Sequence, residues 1–404
     1  MHVLYIHQHF ATNQGFLGTR SYDFARHLVA RGHRVTVLTG YNAGAGLDAH
    51  VGPGLVSRFT LDGVQVVVVR IPYRQQLGIP LRVAAFAAFA AISSALAVLL
   101  ADVDVVYATS TPLTVGVPAL AARFLRGRPY AFEVRDIWPE SLVQMGLLKN
   151  PAAIAVAEVA ERTFYRHAAR VVGISRGITG RLAERGLPAD KLHTLATGVD
   201  LELYERIPAA PEVLAEIGLA GKMVAVYAGA HGPANRLDFA LDVADRLRHD
   251  PRVAFLFLGD GKAREGLIER AGRMGLPNVV FLPKVPKERM VAIVKACDVG
   301  VFFLWETEVA LAAMPNKLFD YLAAGLPVAV NAKGELAETL TGHDAGAVVR
   351  GAEPDDFAAA LAALADDPDA RRAKGAHARR LCATLYDRRV LAAQLEGILE
   401  EVTR

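Results

Sequence analysis

Cysteine is almost missing. Cys297 and Cys382 are the two in 404 residues, which excludes a disulfide framework and any Cys-based metal spacing. Both read as buried core thiols in a reducing compartment. An excess of one charge is missing too: 45 Lys and Arg oppose 42 Asp and Glu, and a net charge of +3 is too small to argue for a nucleic-acid partner. Two signatures are absent: the Gly-x-x-x-x-Gly-Lys-[Ser/Thr] phosphate loop and the Gly-x-Gly-x-x-Gly dinucleotide fingerprint. His7-Gln8-His9 has no evident third ligand, so neutral strand-end histidines are expected there. Asp102-Val103-Asp104 precedes a strand instead of following one and reads as a helix-end loop. No basic segment with a following apolar core precedes the first strand, so no signal peptide is expected. The uncharged stretch Val83–Ala101 reaches the lower range of a membrane span, but its many alanines make a buried or membrane-surface helix the expectation. The basic cluster at Arg123, Arg126 and Arg128 permits contact with anionic lipid.

What is present is an apolar chain, 52% hydrophobic, long enough for two domains. Strand His2–His7, helix Ser21–Ala30 and strand Arg34–Thr39 form a βαβ unit, which implies a parallel sheet. Apolar runs at Val64–Val69, Val105–Tyr107, Tyr130–Val134 and Val171–Ile174 fit strands buried on both faces. After an aperiodic loop, Thr197–Pro211, the alternation restarts at Met223–Ala228 and continues to Val328–Val330. The expected fold class is therefore α/β, with two doubly wound domains facing across a cleft. The expected boundaries are 1–200 and 201–388, with a last helix over 389–404 crossing back to the first domain.

The residues that suggest chemistry fall after strands, where open α/β sheets bind ligands. Met314–Pro327 reads as a short helix with Pro315 in its first position and Gly325 beyond its end. Its N-terminus offers the N–H groups of Asn316, Lys317 and Leu318 to a phosphate, and Lys317 adds a charge. Asp320 shares their face and suits two ribose hydroxyls. Gly229–Arg236 supplies glycines, His231 and Arg236 for a diphosphate. Gly15 and Gly18 allow backbone to approach a ligand. Glu133–Glu140 places Glu133, Arg135, Asp136 and Glu140 beside Trp138 in a substrate-facing loop.

Together these stretches resemble the retaining family-4 glycosyltransferases of GT-B fold, and are most like the L-fucosamine transferases of O-antigen and exopolysaccharide clusters. The likeness runs through Gly18-Thr19-Arg20, Arg31–Gly40, Glu133–Ser141, Gly198-Val199-Asp200, Tyr227-Ala228-Gly229 and Pro315–Val328. It implies a nucleotide-sugar donor, UDP-sugar first, on the C-terminal domain. The acceptor, a sugar or lipid-linked sugar, would meet the N-terminal domain. It implies no metal or other cofactor, and a cytoplasmic protein, peripheral on the inner face of the membrane. Asp320 stands at the second Glu of the family's Glu-x7-Glu motif. The first falls at Ala312, with Glu308 four residues early, and Asn235 replaces the usual Lys. Arg236 and Lys317 are then the candidates for balancing diphosphate charge, and Lys284 and Val285 for contacting the base. Glu133, Arg135 and Asp136 would position the acceptor. A UDP-sugar 2-epimerase of the same fold, a non-catalytic nucleotide-sugar-binding protein and an NAD-dependent enzyme stand as alternatives.

Overall fold

The computed structural model describes residues 1–404 except 16–17, 72–77, 145, 306–313 and 352, and the side chains of 79, 80 and 234. The chain divides into two compact units, Met1–Ala196 with Arg388–Arg404, and Thr197–Asp387.

The first unit is built on strands β1 (His2–Ile6), β2 (Arg34–Gly40), β3 (Val56–Leu61), β4 (Val64–Val69), β5 (Val105–Thr109), β6 (Tyr130–Val134), β7 (Arg170–Gly173) and β8 (Leu192–Thr194), in the order β3-β4-β2-β1-β5-β6-β7-β8. β1, β5 and β6 are buried along their whole length, as their unbroken apolar character requires. The sheet is not wholly parallel: β3 pairs antiparallel with β4 at the edge. The turn between them is Asp62-Gly63, both at positive φ. An Asp-Gly pair between alternating residues is a strong hairpin signal, and here it breaks the expected all-parallel pattern. The helix Arg388–Thr403 belongs to this unit. It buries Leu391, Ala392, Leu395, Ile398, Leu399 and Val402, a stripe at helical spacing.

The second unit carries β9 (Met223–Ala228), β10 (Val253–Leu258), β11 (Val279–Leu282), β12 (Val299–Phe303), β13 (Val328–Asn331) and β14 (Gly346–Val348), in the order β11-β10-β9-β12-β13-β14 and parallel throughout. The order reverses beside β9, between β10 and β12. That is the switch point where a crevice opens at the strands' carboxyl ends.

The uncharged stretch forms the helix Ile79–Leu99. Among the described residues it is the one helix long and apolar enough to cross a membrane, and 28% of its Leu81–Leu99 window is buried. Ala85, Phe89, Ser93 and Ala97 face inward, while Leu81, Val83 and Leu99 are exposed.

Candidate functional site

In the second unit, the helix Asn316–Ala324 has Pro315 as its N-cap, at ψ 149°, instead of in its first turn as expected. The Leu318 N–H closes onto the Pro315 carbonyl at 3.0 Å, so Leu318 is not a free donor. Among the described residues, the N–H groups of Asn316 and Lys317 have no backbone partner. The far end follows expectation. Gly325 is left-handed at φ 74°, and Leu326 N–H reaches Tyr321 O at 3.0 Å before Pro327 stops the helix.

Lys317 is half-buried. Its Nζ donates to Asn235 Oδ1 at 2.9 Å and lies 4.8 Å from the Tyr227 ring centre. Burial brings its pKa down to about 8. Among the described residues it has no carboxylate partner. Asn235 in turn donates to Ala230 O at 2.9 Å. The residue in the family's Lys position therefore ties the turn after β9 to the ammonium. Gly229, at φ 153°, has its missing Cβ 3.5 Å from Lys317 Cε. A Cβ on Gly259 would stand 1.9 Å from the Gly229 carbonyl, so the turns after β9 and β10 approach as only glycines allow.

Several expected contacts are placed differently. Asp320 does not present an open carboxylate: its Oδ1 accepts from Tyr204 Oη at 2.7 Å and Lys287 Nζ at 2.5 Å. The His231 ring is fully buried beside Tyr227 and Phe281, and among the described residues both its nitrogens lack partners. Burial, helped by Arg264 and opposed by Asp260, lowers its pKa to about 4, so it is neutral and walled in instead of facing a diphosphate. Arg236 donates to Leu304 O at 3.0 Å and stacks on Phe239 and Trp305, which fixes the end of β12 instead of leaving the guanidinium in solvent. Lys284 is exposed, 3.6 Å from Asp260, and Val285 is half-buried. Glu308 and Ala312 lie outside the described residues.

In the first unit, Glu133 is fully buried. Its carboxylate accepts from Arg20 Nη2 at 2.7 Å, Tyr107 Oη at 2.6 Å and Thr109 Oγ1 at 2.5 Å. Burial pushes its pKa up, but the Arg20 charge and hydrogen bonds outweigh that and hold it low. Glu133 is thus closed off from any acceptor. Arg20 also donates to the carbonyls of Leu195 and Ala196. Gly15 packs against other backbone, its missing Cβ 2.6 Å from Gly44 O, and Gly18 is exposed at the entry to the helix Arg20–Ala30. Beyond Glu133 the strand opens outward. Arg135 lies 3.4 Å from His7 Nε2, and Asp136 reaches solvent. Desolvation by the surrounding protein raises the Asp136 carboxyl from its ordinary value, against the pull of Arg135. Trp138 is half-buried, and Glu140 pairs with Arg181 and Arg185. Asp102 and Asp104 serve structure: their oxygens hold the His2 ring at 2.8 Å and its N–H at 2.6 Å.

Sequence reasoning missed Asn235 as the holder of Lys317, Lys287 as the partner of Asp320, and the buried pair of Arg388 with Asp23. Charged residues inside otherwise apolar or capped segments were the available signal. Their partners are far away in the chain.

The chain matches the model of the Glycosyl transferase 4-like domain over residues 17–198 and that of the Glycosyl transferases group 1 over 222–367. It is similar to a D-inositol 3-phosphate glycosyltransferase of Nocardia farcinica, 31% identical over 60% of this chain and 58% of that one. It is also similar to the colanic acid biosynthesis glycosyl transferase WcaI of Escherichia coli, 25% identical over 54% of this chain and 56% of that one. The chain thus spans a little over half the length of these relatives. In structure it resembles Anabaena HepE, solved with UDP and glucose, with a TM-score of 0.73, 18% identity and 99% of each chain covered. Its two α/β units are those of the GT-B fold, and the chain carries a glycosyl transferase 4-like domain followed by a glycosyl transferases group 1 domain.

Proposed function

We propose that the protein is a retaining, metal-independent glycosyltransferase that moves a sugar from a nucleotide-diphosphate donor to an acceptor hydroxyl. One observation carries this reading. Lys317, beside two open N–H groups of a helix start and a glycine turn, is held by a neutral amide and by no carboxylate among the described residues. A desolvated cation with open donors beside it suits an anion. UDP is the first choice of nucleotide, supported by the UDP and glucose found with HepE.

In the reaction, the acceptor oxygen bonds to the anomeric carbon on the face from which the diphosphate departs. The carbon–oxygen bond to the β-phosphate breaks, and the leaving oxygen takes the acceptor proton. Lys317 and the N–H groups of Asn316 and Lys317 hold the charge that develops on the diphosphate. Asp136 and Arg135 orient the acceptor, and Glu133 fixes the strand that carries them.

The finer assignment is transfer of an L-fucosamine-type sugar in cell-surface polysaccharide assembly, supported by the motif likeness and by the colanic acid relative. The acceptor is a lipid-linked sugar, met at the cytoplasmic face of the membrane. The exposed Leu81, Val83, Leu99, Phe124 and Leu125 support docking there. The arginines beside them have a structural part as well: Arg126 and Arg128 donate to the carbonyls of Val98, Ala97 and Leu100 at the end of the helix Ile79–Leu99.

The test is a thermal-shift series with UDP, GDP, dTDP, ADP and NAD in EDTA, on wild type and Lys317→Ala. A nucleotide at 100 times its Kd stabilises the fold by about 2.7 kcal/mol. A shift from one nucleoside diphosphate that Lys317→Ala abolishes is expected. A shift from NAD alone, or from none, sinks the reading.

A further inference from the structure

Several arginines of the first unit are closed by carboxylates: Arg20 by Glu133, Arg31 by Glu396, Arg170 by Glu401, Arg185 by Glu161. Arg82 and Arg135 are not. Among the described residues neither has a carboxylate within ion-pair distance, and both stand where the strands end. Arg135 follows β6. Its guanidinium meets the neutral ring of His7, 3.4 Å away, and His7 is held from its other side by Ser21 at 2.9 Å. Arg82 lies in the first turns of the helix Ile79–Leu99, one turn before Phe86, whose ring packs edge-on to that of His9, centroids 6.4 Å apart. His9 is two residues beyond His7, so one short segment touches both arginine-bearing elements. Both guanidinia lie near enough to depress the basicity of the His9 ring, which burial lowers first. Among the described residues the buried Arg82 Nε has no hydrogen-bond partner, a donor that a folded protein rarely leaves idle. The one carboxylate beside Arg135 on its own segment is the solvent-facing Asp136, and Glu133 beneath is spent on Arg20.

We propose that Arg82 and Arg135 form a second anion site, confined to the first unit, that takes a phosphate or diphosphate group of the acceptor. Guanidinium forks match phosphate oxygens in pairs. This rests on the transferase reading and adds to it: the acceptor is a phosphorylated sugar, whose hydroxyl Asp136 meets while the arginines hold its anion.

The test is isothermal titration of the whole chain with inorganic pyrophosphate, after saturation with UDP. Wild type is expected to bind one pyrophosphate with UDP in place. Arg82→Gln and Arg135→Gln should each weaken it at least tenfold while keeping the UDP-induced thermal shift, and Arg135→Lys should recover part of the loss. Lys317→Ala should lose the UDP shift and keep the pyrophosphate. Pyrophosphate that fails to bind beside UDP, or binds equally well to both glutamine variants, overturns the proposal. Absence of a UDP shift in wild type overturns the transferase reading instead, and the two failures are read in separate arms. Circular dichroism melts of each variant establish that it is folded. Repeating the titration with glucose 1-phosphate and with geranylgeranyl diphosphate in detergent then separates the sources. The tighter of the two, with the same dependence on Arg82 and Arg135, tells a soluble sugar phosphate from a lipid-linked diphosphate.

Discussion

Arg20 in the first unit and Lys317 in the second both sit near the carboxyl ends of strands, and both are drawn out of water, yet among the described residues only Arg20 meets a carboxylate. Arg20 is fully buried and locked to Glu133. Lys317 is half-buried and rests on Asn235. The pairing raises the Arg20 pKa against the lowering by burial, while Lys317, with burial alone acting, falls to about 8. A buried ion pair removed on one side is costly. A cation left beside a neutral amide costs the free protein something and is released from that cost by an anionic ligand. The first arrangement holds strands of the fold together, and the second is the one proposed as the seat of the donor's diphosphate.

That contrast can be broken at either end. The largest effect is expected from Glu133→Gln, which leaves Arg20 buried without its counter-charge and should destabilise the first unit by about 3–5 kcal/mol. A falling urea midpoint reads it, and an unchanged midpoint would show that the pair is not what holds these strands. The sign in pH follows. The Glu133 pKa is lowered on folding, so its stabilisation is present above the unfolded value of about 4.5 and fades as pH falls through the folded one. Glu133→Gln should therefore lose less stability in acid than wild type.

Next comes Lys317→Ala, expected to lower kcat by roughly 10²–10³-fold while leaving the melting temperature of the ligand-free protein unchanged or slightly higher. A lowered melt with intact turnover would make Lys317 structural, like Arg20. Asp136→Asn follows, with a loss of about tenfold or more in turnover at saturating acceptor. Full turnover would remove Asp136 from acceptor handling. Lys317 also predicts a pH effect. Above pH 8 the free ammonium gives up its proton, and diphosphate binding must restore it. Donor KM should then rise with pH by up to about tenfold per unit in wild type, and stay flat in Lys317→Ala. The smallest effect on the fold is expected from Phe124→Ser with Leu125→Ser, both exposed. Stability should move by about 0.5 kcal/mol or less, while recovery in the membrane fraction drops. An unaltered distribution would count against docking through this face.

Local features carried much of the fold. Strand β1 and the helix after it were legible because the hydrophobic period and the turn residues are short-range signals. The helix Asn316–Ala324 announced both its ends through Pro315, Gly325 and Pro327. The β3–β4 hairpin was missed although Asp62-Gly63 marks it, because a parallel pattern was assumed to continue. The site was less legible. Lys317, Asn316 and Gly229 stand together as the motif suggested. Glu133, His231 and Asp320 do not face outward, because burial and pairing are decided by neighbours the motif does not contain.

The sequence by itself determined the α/β alternation, the capped helix that starts beside Lys317, and the position of the candidate loops after strands. Each depends on residues within a turn or two of one another. Only the tertiary structure decided which charges are closed and which are left open. Arg20 and Glu133 are 113 positions apart, Arg388 and Asp23 are 365 apart, and Lys317 and Asn235 are 82 apart. Whether a cation is half of a salt bridge or a seat for a phosphate depends on those distant partners, because the energy of a charge is fixed by what surrounds it in space.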